Sequence, residues 1–272
     1  MSERQYIHSN EKDEVELNRL RLVEEIYDPV TIRHLKIIGA SEGWNCLEVG
    51  AGAGSVARWL AARVRPKGKV VATDIDTRFL RQIGVPNLEI REHDITKDVL
   101  ETGQYDLVHC RLLLMHLPEP EKGLKRMANA VRPGGWLLIE DQDYGSVLST
   151  DVTDPSAVIF TSTYRAGCDF LRKKSILDPY FGRRVRGLIE ELGFIDVDHE
   201  GYTRVNHGGE PAARLTAMTL HAGAKPMIAA GFITQEQHDS IQRLFLEPTF
   251  QFLGPTMFAA WGKRPPGETR SS

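Results

Sequence analysis

Nine residues, Leu47-Glu48-Val49-Gly50-Ala51-Gly52-Ala53-Gly54-Ser55, lead a short apolar run into the helical pattern Val56-Ala57-Arg58-Trp59-Leu60 through glycines spaced two apart. Glycine reaches φ > 0 and lets a ligand come close to the backbone. A helix start behind such a turn offers unpaired N–H groups to an electron-rich ligand. The chemistry implied is the holding of a cofactor that carries a sugar together with a carboxylate or phosphate. Asp74, which closes the apolar run Val70-Val71-Ala72-Thr73, sets a carboxylate where two ribose hydroxyls can donate to it. A dinucleotide calls for G-x-G-x-x-G, which Gly50, Gly52 and Gly54 do not match. Glu48 adds negative charge beside the turn, a poor neighbour for a pyrophosphate and a tolerable one for a cationic sulfonium. A nicotinamide-dependent oxidoreductase is therefore a distant alternative.

Groups able to take a proton gather after the fourth and fifth apolar runs: His116 in Leu114-Met115-His116-Leu117, then Glu140, Asp141 and Asp143 beside Tyr144. Each has a plainer reading. His116 can be structural or cofactor-facing, Glu140 can hold the sheet end, and Asp141 and Asp143 can sit on a solvated loop. Cys46, Cys110 and Cys168 form no C-x-x-C pair, which points neither to a disulfide framework nor to zinc. His207 and His221 are too far apart in sequence to suggest a metal pair, and no metal is expected.

These groups need strands to carry them. The pattern predicts strands over Cys46–Val49, Lys69–Thr73, Leu88–Arg91, Asp106–His109 and Trp136–Glu140 with helices between, the alternation of a parallel sheet covered on both faces. Pro133-Gly134-Gly135 reads as the turn before the fifth strand. Ahead of the sheet, residues 1–40 read as two helices: one capped by Asn10, the other running from Asp28 and Pro29 to Gly39. Past Glu140, helical patterns appear at Ile159–Leu171, Tyr180–Leu192, Leu215–Ile228 and Gln235–Leu246, with strands at Phe194–His199 and Thr256–Trp261 expected to rejoin the sheet. The expected organisation is a single domain over 1–264: N-terminal helices 1–40, a cofactor-binding core 44–141, cap insertions 142–180 and 205–252, and a disordered tail 265–272. Phe160, Tyr164, Phe170, Tyr180, Met218, His221, Met227, Phe245 and Phe252 can wall an apolar acceptor pocket, though aromatics and methionines so spaced are more often core.

A net charge of -3 with 26% charged and 41% hydrophobic residues marks an ordinary globular chain and argues against a nucleic-acid partner. The polar start Met1-Ser2-Glu3-Arg4-Gln5 is no signal peptide, and no apolar run is long enough to span a bilayer, so a cytoplasmic location is expected. A homodimer is left open.

From Trp44 to Asp141 the chain resembles the class I S-adenosylmethionine-dependent methyltransferases, in particular their small-molecule, ubiquinone/menaquinone-type branch. The resemblance is carried in order by Leu47–Gly54, Ala72-Thr73-Asp74-Ile75-Asp76, His93-Asp94-Ile95, Tyr105–Arg111 with Leu114–Leu117, and Arg132-Pro133-Gly134-Gly135-Trp136–Glu140. It implies a Rossmann-like α/β fold with a seven-stranded, mostly parallel sheet. S-adenosylmethionine would be the cofactor and S-adenosylhomocysteine the product. Gly50, Ala51 and Gly52, with Glu48 beside them, would face the methionine part, Asp74 would hold the ribose and Ile75 would pack on the adenine. Asp94 would accept from the adenine amino group beside Ile95, with a helix cap as its alternative role; Asp76 reads as a cap. Cys110 and Arg111 would line the sulfonium, and Tyr6 would close over the methionine end. The function expected is methyl transfer to a small organic acceptor in secondary metabolism, with His116 and Asp141 as catalytic candidates. The alternatives are a methyltransferase acting on protein or RNA, and a member that binds the cofactor without methylating.

Overall fold

The computed structural model describes residues 13–267. Tyr6 and most of the tail lie outside the described residues. The chain divides into two compact units, one built on residues 28–141, 181–201 and 258–267, the other on 13–27, 142–180 and 202–257.

The unit that begins at Asp28 is organised by a seven-stranded sheet. Its strands are β1 (Asn45–Val49), β2 (Lys69–Asp74), β3 (Leu88–Glu92), β4 (Tyr105–Arg111), β5 (Val131–Asp143), β7 (Ile195–Tyr202) and β10 (Thr256–Lys263), in the order β3-β2-β1-β4-β5-β10-β7. The ladders β2–β3, β1–β2, β1–β4 and β4–β5 are parallel. β4 is buried at its first six positions, as expected of a strand covered on both faces. Helix α2 (Ser55–Val64) lays Val56, Ala57, Leu60, Ala61 and Val64 on a core shared with Cys46, Val70, Leu107 and Leu138. The chain turns back on itself between β1 and β4, because the strands made after β1 fill one side of the sheet before β4 opens the other. In an open parallel sheet that reversal is where ligands bind.

The other unit contains α4 (Pro155–Lys173), α6 (Pro211–Ala229), α7 (Gln235–Leu244) and a three-stranded antiparallel sheet, β6 (Leu148–Ser149), β9 (Gln251–Leu253) and β8 (Val205–His207). Phe160, Tyr164, Phe245, Phe250 and Phe252 form its core, so these aromatics pack on one another. Strands of two or three residues show no period-2 alternation, which is why the sequence pattern does not announce them.

Three expected boundaries change. The two N-terminal helices are one, α1 (Asp13–Ile38), with Pro29 inside it. An interior proline removes one backbone bond, at a cost of about 3 kcal/mol; here the following turns bury Val30, Leu35 and Ile38 and carry the helix through. Gly39 (φ 88) ends it as expected, with Ala40 N–H donating to the Leu35 carbonyl at 3.0 Å. Tyr180–Leu192 is a 3-10 turn, Phe181–Arg184, followed by α5 (Val185–Glu191). β5 starts earlier than expected, at Val131 directly after α3 (Pro120–Ala130), and absorbs Gly134 (φ 76) through a register shift against β4.

Candidate active site

The glycine turn leaves β1 with Gly50, Gly52 and Gly54 all left-handed, at φ 72, 57 and 87. Gly50 also fits tightly, because a Cβ there would stand 3.2 Å from both Leu113 methyls. Gly54 stands at the N-cap of α2 and itself supplies no side-chain bond to the helix start. The Asp74 carboxylate, at the end of the neighbouring β2, accepts from Gly52 N–H at 2.8 Å and Asp76 N–H at 3.0 Å. Burial raises the Asp74 carboxyl above its ordinary value, against the backbone N–H groups of Asp76, Gly52 and Ile75, which lower it. Two oxygens carry about four lone-pair sites, which leaves acceptor capacity for further donors. Ile75 follows with 61% of its surface exposed, an apolar platform at the open end of the sheet.

Asp94 and Ile95 follow β3. Asp94 accepts from Thr96 N–H at 2.8 Å and Thr96 Oγ1 at 2.6 Å, pairs with Lys97 at 3.2 Å, and its carbonyl receives Asp98 N–H at 2.8 Å. These bonds close a turn and no helix follows for Asp94 to cap, and Thr96 and Lys97 hold its carboxyl below the ordinary value despite partial burial. Asp76, expected as a helix cap, instead closes a turn by accepting from Arg78 N–H at 3.1 Å, and the 3-10 turn beyond it, Leu80–Gln82, begins after Phe79. Ile95 is buried.

At the end of β4, Cys110 is fully buried, and burial, then Asp141, Glu48 and Glu140, push its thiol far up, so it stays neutral. Arg111 donates to Asp28 Oδ1 at 2.8 Å and Thr31 Oγ1 at 2.9 Å, both on α1. Leu112 takes the left-handed conformation, φ 54, rarely populated by a residue with a Cβ. Its strain turns the chain so that Leu113 covers Gly50. A 3-10 turn, Leu114–His116, follows; Asp141, fully buried at the end of β5, accepts from Met115 N–H at 3.2 Å. The Asp141 carboxylate thus braces this turn, and His116 stands half-buried at its end.

Beneath the turn lies a buried polar chain that sequence patterns did not reveal. Glu48, cross-strand partner of His109, accepts from His109 Nδ1 at 2.6 Å, and His109 Nε2 faces Glu140 Oε2 at 3.2 Å. Glu140 also accepts from Thr31 Oγ1 and from His34 Nδ1, the latter at 2.7 Å, and His34 Nε2 lies 3.6 Å from Glu200, which Arg33 grips with both guanidinium nitrogens. Burial works against a charged His109, yet the two carboxylates outweigh it and raise its pKa to about 9. Burial would likewise raise the Glu140 carboxyl, but His109, His34 and Arg111 hold it far below the carboxylate range. Glu48, expected beside the cofactor, therefore has its carboxylate engaged with His109. Among the described residues no group of three His, Cys, Asp or Glu is placed to hold a metal.

Residues 47–139 match the family model described as a methyltransferase domain, the span from the glycine turn to the end of β5 that carries this geometry. Over that span the resemblance to the class I S-adenosylmethionine-dependent methyltransferases is borne out. Among curated proteins it is 29% identical over 185 residues to Methyltransferase str2 of Strobilurus tenacellus, covering 65% of this chain and 63% of the relative. It is 27% identical to a ubiquinone biosynthesis O-methyltransferase of Paracidovorax citrulli, over 44% of this chain and 52% of that one. The chain spans between half and just under two thirds of the length of the first curated relatives it matches. Solved structures share the fold at low identity. Phosphoethanolamine N-methyltransferase 2 of Haemonchus contortus, in complex with S-adenosyl-L-methionine, aligns with TM-score 0.61 at 15% identity over 97% of this chain and 60% of that one. A putative methyltransferase of Bacillus halodurans aligns with TM-score 0.55 at 17% identity, over 86% and 98%. That family's cofactor fits the residues present: a left-handed glycine cradle in which a Cβ at Gly50 would crowd Leu113, a helix start directly behind it, a half-buried carboxylate with lone pairs to spare and an exposed isoleucine next to it. No helix of the described chain is long and apolar enough to cross a membrane.

Proposed function

We propose that the chain transfers a methyl group from S-adenosylmethionine to a small organic acceptor. The observation that carries the cofactor half is Asp74, which pins Gly52 N–H while keeping lone pairs for the ribose hydroxyls. Gly50, Ala51 and Gly52 would then face the methionine part, Ile75 and Ile95 the adenine, and Arg111 the end nearest the sulfonium. Asp94 would meet the adenine edge through lone pairs left over from its turn. The bound sulfonium supplies the methyl group in an in-line displacement, so the protein's main contribution is alignment of the acceptor. A base is needed when the acceptor is a hydroxyl or an acidic carbon. His116 is our candidate for that role, with Asp141 bracing the turn that carries it.

The small-molecule reading is supported by the curated relatives, which include the Strobilurus enzyme and ubiquinone biosynthesis O-methyltransferases. The net charge of -3 favours it over an RNA substrate. The test is titration calorimetry with S-adenosylmethionine and S-adenosylhomocysteine, followed by labelled-methyl transfer to fractionated small molecules, protein and RNA. Label in the small-molecule fraction supports the reading. Label in protein or RNA sinks its acceptor half, and absence of cofactor binding sinks it whole.

A further inference from the structure

Asp28 reads from sequence as a helix cap, but the structure places it inside α1, one residue before Pro29, where a cap has no function. Its Oδ1 instead accepts two bonds from distant parts of the chain: Ser55 Oγ at 3.0 Å and Arg111 Nη2 at 2.8 Å. Ser55 is the first residue of α2, immediately after Gly54, and Arg111 is the last residue of β4. One oxygen therefore ties the exit of the glycine turn to the end of the strand across the switch point. Arg111 is held a second time by Thr31, one turn further along α1, and Thr31 in turn donates to Glu140.

The tie is well placed to matter. Arg111 is 8% exposed and Asp28 23%, so solvent and salt screen the pair weakly. Glycine gives up more conformational freedom on ordering than any other residue, so a turn with three of them costs affinity if binding has to order it. Ser55 is also the first residue of α2, and its hydroxyl donates to Asp28.

We propose that Asp28 is a positioning residue for the cofactor site, holding the Gly54–Ser55 end of the glycine turn and the Arg111 guanidinium in the arrangement that receives the methionine end of the cofactor. It rests on the function proposed above and adds a residue that no landmark of that reading contains. It acts through Ser55 and Arg111, by a single acceptor oxygen.

The experiment is titration of S-adenosylhomocysteine, well below the melting temperature, into wild type, Asp28→Ala, Asp28→Asn, Ser55→Ala and the Asp28→Ala/Ser55→Ala double variant, with amide exchange followed over 55–58 in the ligand-free proteins. Asp28→Ala is expected to weaken binding about tenfold, the scale of one or two lost hydrogen bonds to charged groups. Asp28→Asn should recover most of the loss, because its carbonyl oxygen can still accept from both donors. The double variant should bind no worse than Asp28→Ala, since the two share one interaction. Exchange over 55–58 should quicken in Asp28→Ala and not in Asp28→Asn. Wild-type affinity in Asp28→Ala overturns the proposal, and so does an Asp28→Asn variant as weak as Asp28→Ala with exchange unchanged. Failure of wild type to bind the ligand at all would instead strike the proposed function, while the exchange comparison would still decide whether Asp28 holds the turn.

Discussion

His109 and Glu140 face one another across β4 and β5, Nε2 to Oε2 at 3.2 Å, with neither side chain exposed to solvent. An imidazolium there is flanked on its other nitrogen by Glu48, so one buried cation serves two buried anions. Removing His109 would leave two buried carboxylates without the cation they share, which costs several kcal/mol, whereas the intact set ties β1, β4 and β5 together.

Stability should therefore depend on pH in a defined window. The His109 pKa is raised from 6.5 to about 9 in the folded chain, so its contribution is fully present below pH 6.5 and is lost as pH rises through 9. At 1.36 kcal/mol per unit, the loss should approach about 3 kcal/mol. Urea unfolding at pH steps between 6 and 9.5 checks it. His109→Gln should be less stable throughout and lack this slope; a wild-type curve flat across the window would contradict the assignment.

Asp74→Ala should weaken S-adenosylmethionine binding by about 1–3 kcal/mol, as expected for hydrogen bonds lost at a half-buried carboxylate. The wild type should also lose affinity on acidification, because the ribose hydroxyls donate to the ionised form. Burial raises the Asp74 carboxyl, so the loss should begin at a pH above the ordinary carboxylate value of 3.8. Calorimetry from pH 7 downward measures both effects, and an affinity constant down to pH 4 would rule out an ionised Asp74 as the ribose acceptor.

Most of the sheet and its ligand turn were legible because they are local. Leu47 to Ser55 spells strand, left-handed turn and helix within nine residues, and Asp74 announces itself by ending an apolar run. The chain Glu48–His109–Glu140–His34 was not, because it exists only through registers such as Glu48 opposite His109, which no spacing encodes. Asp28-Pro29 misled for a related reason. The dipeptide is a sound helix start taken alone, and it is overridden by Asp28 engaging Arg111 and Ser55 and by the burial of Val30 and Leu35 beyond. The leucine at 112 gave no sign that it would take φ 54, which follows from the need to turn sharply off β4.

Gly50→Ala separates backbone need from composition. At φ 72 a Cβ is strained, and it would press on Leu113, so a loss of about 1–2 kcal/mol is expected together with weaker cofactor binding. Gly187→Ala in α5 is the control. A Cβ there meets nothing within 4 Å, and the change should be neutral or stabilising by up to about 1 kcal/mol. Paired urea titrations decide it; similar effects at both sites would refute a special role for the left-handed turn.

Asp141 and His116 can be told apart by what each substitution preserves. Asp141 is fully buried and accepts from Met115 N–H, a bond that an asparagine oxygen can also receive. If bracing is its role, Asp141→Asn should keep kcat within about threefold, and Asp141→Ala should lose activity along with the Leu114–His116 turn. If it were the base, Asp141→Asn would forfeit the full general-base factor, about 100- to 10,000-fold. His116, half-buried at the end of that turn, is our candidate proton acceptor, so His116→Gln should lower kcat by about 100-fold or more on a hydroxyl acceptor. Its S-adenosylhomocysteine affinity should stay at the wild-type level. The pH–rate profile of His116→Gln on such an acceptor should differ in shape from that of wild type. A His116→Gln enzyme with an unchanged profile would return the histidine to a packing role and leave the acceptor to lose its proton to water.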